Sequence, residues 1–126
     1  MTASPEGEVV IRTIAMPADA NANGDIFGGW LMSQMDLGGA VLARAQARTR
    51  VVTVAVEAMS FVRPVLVGDL ITCYARVRRT GRTSLQVAIE AWVQRFADGA
   101  HHRVTEGIFT YVAIDAAGKP APIAAP

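Results

Sequence analysis

One carboxylate stands inside an apolar, glycine-punctuated segment. Asp36 is the only ionisable residue between Asp25 and Arg44, in the run Ile26-Phe-Gly-Gly-Trp-Leu-Met-Ser-Gln-Met-Asp-Leu-Gly-Gly-Ala-Val-Leu-Ala43. If that run is buried, an ionised carboxylate there costs several kcal/mol, as an order of magnitude, unless it is paired or wetted. Two kinds of chemistry suit it: a general base that activates water, or a direct nucleophile. Desolvation makes a buried carboxylate a better base near neutral pH. A helix aspartate tied to an arginine or hydroxyl elsewhere in the fold reads the same way, and position alone does not separate the two. Upstream, Gly28 and Gly29 open the same segment. Free N–H groups at a helix start point outward at the positive end of its dipole, and without a Cβ an oxyanion can come close. Tight turning and packing also call for glycine there.

The elements that must position these groups are legible from periodicity. Glu8 to Met16 reads as a strand stopped by Pro17, and Ala18 to Asp25 as a turn-rich loop in which Asn21 is by itself an ordinary turn residue. From about Gly28 to Arg48 the pattern is helical, with Trp30, Leu31, Met35, Leu42 and Ala45 as core contacts. The helix is apolar almost all round, which implies burial on most sides. Gly38 and Gly39 cost about 1 kcal/mol each in helix propensity relative to alanine, and would let another backbone approach. Four strand patterns follow, Val51–Val62, Leu70–Thr80, Thr83–Phe96 and His102–Ile114, separated by turns at Val67-Gly68-Asp69, Gly81 and Asp98-Gly99. Ile71, Cys73, Ala75 and Val77 share one face of the second, and Leu85, Val87, Ile89, Ala91 and Val93 one face of the third. Strand, long helix, then four strands mostly in hairpins predicts an α+β domain, an antiparallel sheet around one helix.

Bulk properties narrow the function. The 126 residues suit one domain, with a core from about 8 to 116 and a loose Pro/Ala-rich tail from Gly118. A net charge of +1 gives no global field for nucleic acid or membrane. The single Cys73 makes no internal disulfide and reads as a small buried hydrophobe, in keeping with a cytoplasmic protein. Met1 to Glu8 has no basic or apolar leader character, and Ile26 to Ala43 carries too many polar and glycine positions for a membrane span. No metal-ligand spacing, phosphate-binding loop or nucleophile elbow is present. His101 and His102 adjoin a turn far in sequence from Asp36 and read as an exposed pair; Glu57 reads as a satisfied structural carboxylate, and Trp92 and Phe61 as packing residues.

The element order, together with Asn21-Ala-Asn-Gly-Asp-Ile-Phe-Gly-Gly-Trp-Leu-Met-Ser-Gln-Met-Asp36, resembles the hotdog-fold acyl-CoA thioesterases, and among them the YciA-type acyl-CoA hydrolases. The likeness runs from about Thr13 to Pro120 and includes Val52-Thr-Val-Ala-Val-Glu-Ala-Met-Ser-Phe, Arg63-Pro-Val, Val67-Gly-Asp and Phe109-Thr-Tyr-Val-Ala. Related enzymes often carry His-Gly-Gly at the helix start; here Phe27-Gly28-Gly29 leaves no imidazole. The resemblance implies hydrolysis of acyl-CoA to free acid and CoA, with no cofactor beyond the CoA of the substrate. It implies a homo-oligomer, a dimer or a trimer of dimers, with each active site shared by two subunits. It favours Asp36 as base and places Asn21 in the active site, where its amide would orient water or hold the thioester carbonyl. Gly28 and Gly29 would form the oxyanion site. The basic hairpin Arg78-Arg79-Thr-Gly-Arg82-Thr83-Ser84, which otherwise reads as a solvated turn, becomes the candidate grip on the CoA phosphates, with Arg63 a weaker one. Two rivals remain on the same fold: a non-catalytic acyl-CoA sensor, which needs neither Asp36 nor Asn21, and a hydratase or dehydratase, which usually needs a histidine that the helix region lacks.

Overall fold

A computed structural model of the chain describes residues 4–123. Strand β1 (Glu8–Ile14) leads through a short 3-10 turn (Pro17–Asp19) and a loop into helix α1 (Gly28–Ala47). Four strands follow: β2 (Arg50–Phe61), β3 (Leu70–Thr80), β4 (Ser84–Gln94) and β5 (His101–Ile114). They form one antiparallel sheet in the order β1-β3-β4-β5-β2, and α1 packs against all five strands. The α+β arrangement expected from the periodicity is the one observed.

The alternation of apolar residues explains the register. Ile71, Cys73 and Ala75 on β3 and Leu85, Val87, Ile89, Ala91 and Val93 on β4 are all buried on the face that receives α1. Leu31, Met35, Ala43 and Ala47 close that core from the helix side. The helix ends because Arg48 adopts a left-handed conformation, its N–H bonded to the Arg44 carbonyl. The turn at Leu66–Asp69 is pinned by a buried ion pair: the Asp69 carboxylate accepts from Leu66 N (2.9 Å) and Arg95 Nε (3.1 Å).

Several expectations are corrected. Gly38 and Gly39 do make room, but for side chains rather than for a backbone: a Cβ at Gly38 would collide with Val10, and one at Gly39 with the Tyr111 hydroxyl and Ile89. Ala45 is exposed rather than buried, as are Leu37 and Val41, so one stripe of the helix is bare. β2 is an edge strand whose Val52, Val54 and Val56 are exposed. The tail is not loose as far as it is described: Ala121 N bonds to Ala113 O and Ile123 N to Arg82 O, both at 2.8 Å, and Ile123 packs on the core. Positions 124–126 of that tail lie outside the described residues. On the sheet face away from α1, Glu90 and Trp92 are buried, the indole Nε1 donating to Glu90 Oε1 at 2.9 Å. His101 stacks on that indole, with ring centroids 4.9 Å apart, while Glu57 is exposed and makes no side-chain hydrogen bond or ion pair among the described residues. No helix among the described residues is long and apolar enough to cross a membrane.

Two stability predictions follow from this packing. Gly39→Ala should lower stability to urea by about 1–3 kcal/mol through overpacking, against a gain of about 1 kcal/mol in helix propensity. Gly29→Ala, where a Cβ meets nothing within 4 Å, should not. Burial pushes the Cys73 thiol up to about 12. Its folded value is raised, so its contribution to stability is complete below about pH 9 and drains away as the pH rises toward 12. A disulfide reagent at pH 8 should find no thiol in the native chain and one after unfolding.

Candidate active site

Asp36 sits near the middle of α1, partly buried, on the side that faces the junction of β2 and β5. Thr53 of β2 and Tyr111 of β5 are direct cross-strand partners, so their hydroxyls rise from one rung of the sheet. Thr53 Oγ1 donates to Asp36 Oδ1 at 2.6 Å. Tyr111 Oη donates to the Asp36 main-chain oxygen at 2.9 Å and to Oδ1 at 3.2 Å. Both hydroxyls therefore meet the same carboxylate oxygen, and Oδ2 has no donor among the described residues. Tyr111 is fully buried; burial first, then the Asp36 charge and the hydrogen bond, push its phenol far above the ordinary tyrosine value. It is a donor at any working pH. The carboxylate is thus compensated by neutral hydroxyls rather than by a cation, for no lysine or arginine among the described residues pairs with it.

The loop before the helix is folded by its own side chains. Asn21 Oδ1 accepts from Asn23 N (2.9 Å) and Asp25 N (3.1 Å), and Asn21 N bonds to Asp25 O at 2.7 Å. The turn role read from sequence is present. It also fixes the amide, because the oxygen is used by the loop and the NH₂ end is left to donate. Ile26 N bonds to Val65 O and Phe27 N to Asp19 O, which anchors the loop at the helix start.

Gly28 and Gly29 carry the first N–H groups of α1, which have no acceptor within the helix. The Phe61 ring lies against Gly28, while the space beside Gly29 is open. Phe61, Arg63, Pro64, Val65 and Val104 line a cavity of about 260 Å³ over this helix end. These amides do not meet Asp36 in the same chain. Seven and eight residues of helix separate them from it, roughly 10–12 Å at 1.5 Å per residue.

The six positions proposed for phosphate contact are not one cluster. Arg63 lies at the helix start, where burial first, and then Arg63 and Arg95, hold neighbouring His102 below the ordinary histidine value. Phe61 pairs with Thr105 and Ser84 with Val112, so Arg63 and the hairpin stand about seven β5 residues apart, roughly 23 Å. Arg78 lines a cavity of about 570 Å³ that also includes Ala88, Glu90 and Ile108, on the face away from Asp36. Arg79, Arg82, Thr83 and Ser84 remain at the hairpin end. Other cations, which the sequence pattern does not single out, lie at that same end: Arg44, Arg48 and Arg50 line an open groove of about 650 Å³ with Val41, Ala45 and Thr49. The i, i+4 spacing of Arg44 and Arg48 on a helix was the available signal. Thr53 and Tyr111 were also missed as partners of Asp36; only their place in strand-like runs was visible. Among the described residues no group of three or more His, Cys, Asp or Glu side chains is placed to hold a metal ion.

Comparison with known proteins matches the chain to a family. The model of the thioesterase superfamily matches residues 23–95, more than half of the chain and spanning Gly28, Gly29, Asp36 and Thr53. The acyl-CoA thioester hydrolase YciA of Salmonella typhimurium is 58% identical over 126 residues, covering 98% of this chain and 95% of that protein. In three dimensions the chain is similar to the hexameric thioesterase y2039 of Yersinia pestis, with a TM-score of 0.93 and 56% identity over 97% of this chain and 100% of that one. It is also similar to Cj0915 of Campylobacter jejuni, a hexameric hotdog fold thioesterase, with a TM-score of 0.88 and 42% identity over 94% and 91% of the two chains. With helix α1 packed on a five-stranded antiparallel sheet, the chain belongs to the thioesterase superfamily and has the hotdog fold.

Proposed function

We propose that this protein hydrolyses acyl-CoA thioesters to the free acid and CoA, with Asp36 as the general base. The observation that carries the reading is the state of the Asp36 carboxylate: Oδ1 is held by two hydroxyls and Oδ2 is open. Relatives named acyl-CoA thioester hydrolases, at 58% identity over nearly the whole chain, supply the substrate class.

The reaction then runs as follows. Oδ2 takes a proton from a water molecule as its oxygen attacks the thioester carbonyl carbon. The oxyanion that forms is stabilised by the Gly28 and Gly29 N–H groups, with the Asn21 NH₂ as a further donor. Collapse of the tetrahedral intermediate breaks the C–S bond, and the CoA sulfur leaves with the proton that Asp36 had taken.

Base and oxyanion donors cannot come from one chain, because both must lie within hydrogen-bonding reach of one reacting carbonyl and its water. A second copy supplies the missing half. The bare helix stripe of Leu37 and Val41 and the exposed edge strand β2 with Val52, Val54 and Val56 form the surface it would cover. An isologous pairing there would set the helix start of one chain toward Asp36 of the other. The hexameric thioesterases of similar structure support assembly of such dimers into a trimer of dimers. The CoA phosphates fall to the basic end of the sheet, where Arg82, Thr83 and Ser84 stand near Arg44, Arg48 and Arg50. Arg63 and Arg78 point to other regions and are left out of that role.

Asp36→Asn should cut thiol release from acyl-CoA by a hundredfold or more, on the order of general-base contributions, with circular dichroism unchanged. Wild-type turnover in that variant would end the assignment. Leu37→Glu should lower both the mass measured by light scattering and the rate of thiol release; an active monomer would show that the site is complete in one chain.

A further inference from the structure

Tyr111 does more than fill the core. Its ring packs beside Phe109, with centroids 6.4 Å apart, and its hydroxyl enters the space that a Cβ on Gly39 would occupy. That gap lets a side chain from β5 reach the main chain of α1 and touch two acceptors of one residue, the Asp36 carbonyl oxygen and Oδ1. A phenol has a single proton, so it serves the stronger acceptor of the moment.

We propose that Tyr111 is a positioning residue for the base: its hydroxyl fixes the Asp36 carboxylate and follows its protonation state, donating to Oδ1 when Asp36 is ionised and to the Asp36 carbonyl when Asp36 holds the proton. The proposal rests on the reading of Asp36 as base and adds a device to it. Protonation on Oδ2 leaves Oδ1 an acceptor, but a weaker one than the carboxylate oxygen was. With the Asp36 carbonyl as a second acceptor, Tyr111 can turn to the stronger of the two in each half of the catalytic cycle. Thr53 has no such choice and keeps to Oδ1 in both states.

The surroundings leave this pair electrostatically isolated among the described residues. From β2 the facing group is Thr53, from β5 Tyr111, and from β1 Val10 and Ile11 at the helix glycines. β3 and β4 present apolar side chains and the Cys73 thiol, which burial keeps neutral to about 12. Tyr74, the only other tyrosine, pairs with Glu90 and lies on the opposite face of the sheet.

The test is the pH profile of thioester loss for the wild-type enzyme and for Tyr111→Phe. A hydrogen bond donated to the anion favours the anion. Its loss should move the acid limb of kcat/KM upward by about 1–2 pH units, the equivalent of one hydrogen bond to a charged group, and lower kcat with KM little changed. A second variant keeps the shape of the core: 3-fluorotyrosine at position 111 in a Tyr74→Phe background is a stronger donor and should move the same limb downward. Acid limbs that coincide with wild type in both would overturn the role of Tyr111, whatever the effect on stability. Asp36→Asn separates the two claims. If that variant is inactive while the limbs do not move, only the role of Tyr111 fails; if it keeps its turnover, the reading of Asp36 as base fails.

Discussion

The site depends on a carboxylate held by hydroxyls across a helix–sheet contact. Asp36 must be close enough to the sheet for Thr53 and Tyr111 to reach Oδ1, and α1 can come that close only because Gly38 and Gly39 carry no side chain where Val10, Ile89 and Tyr111 lie. The helix-propensity cost of two glycines in mid-helix, about 2 kcal/mol together, is offset by packing and by two hydrogen bonds to an anion. Neutral donors matter here. An arginine in place of either hydroxyl would neutralise the carboxylate in a fixed ion pair and compete with any water for its second oxygen. Two hydroxyls on one oxygen orient the group and leave the other oxygen free.

A second constraint is the length of the helix. The amides that can stabilise negative charge are at its first turn, and the carboxylate lies two turns further on. A straight helix cannot bring them together, so the same element that presents both groups also keeps them apart. The exposed stripe of Leu37 and Val41 and the unpaired edge of β2 have the opposite problem, since they are complete surfaces without anything to cover them. The proposed pairing of two copies through these surfaces would resolve both at once: it would bury the apolar stripe and set one chain's helix start against the other chain's carboxylate. On this proposed reading, hydrolytic competence and assembly are one property.

Much of this was legible in the sequence, and the limits have physical causes. Strand boundaries, helix span and turn positions follow from periodicities of 2 and 3.6, and Asp36 stands out because a charge in an apolar run is costly. The groups that compensate it do not stand out. Thr53 and Tyr111 lie 17 and 75 residues away, and only the strand order β1-β3-β4-β5-β2, which local patterns do not encode, makes them neighbours. Ala45 reads as core because an all-round apolar helix does not reveal which stripe faces its own sheet and which stays exposed. The hairpin arginines were grouped by proximity in sequence, yet Arg78 faces the other side of the sheet and Arg63 the other end, while Arg44, Arg48 and Arg50 converge from a helix end and a strand start. The tail looked loose because Pro/Ala composition carries no sign of the hydrogen bonds that Ala121 and Ile123 make to β5 and the hairpin.

The central claim is that each site joins Asp36 of one chain to Asn21 and the helix-start amides of another, and subunit mixing tests it most directly. Asp36→Asn and Asn21→Ala chains, each purified with its residual activity measured, are unfolded together and refolded, and native mass spectrometry confirms assemblies that contain both. In such a pair one site carries both defects and the other carries neither. The account predicts that the mixed assemblies regain acyl-CoA hydrolysis well above the sum of the two parents. Mixed assemblies no more active than the parents would mean that both residues act within a single chain, and the shared site would be wrong.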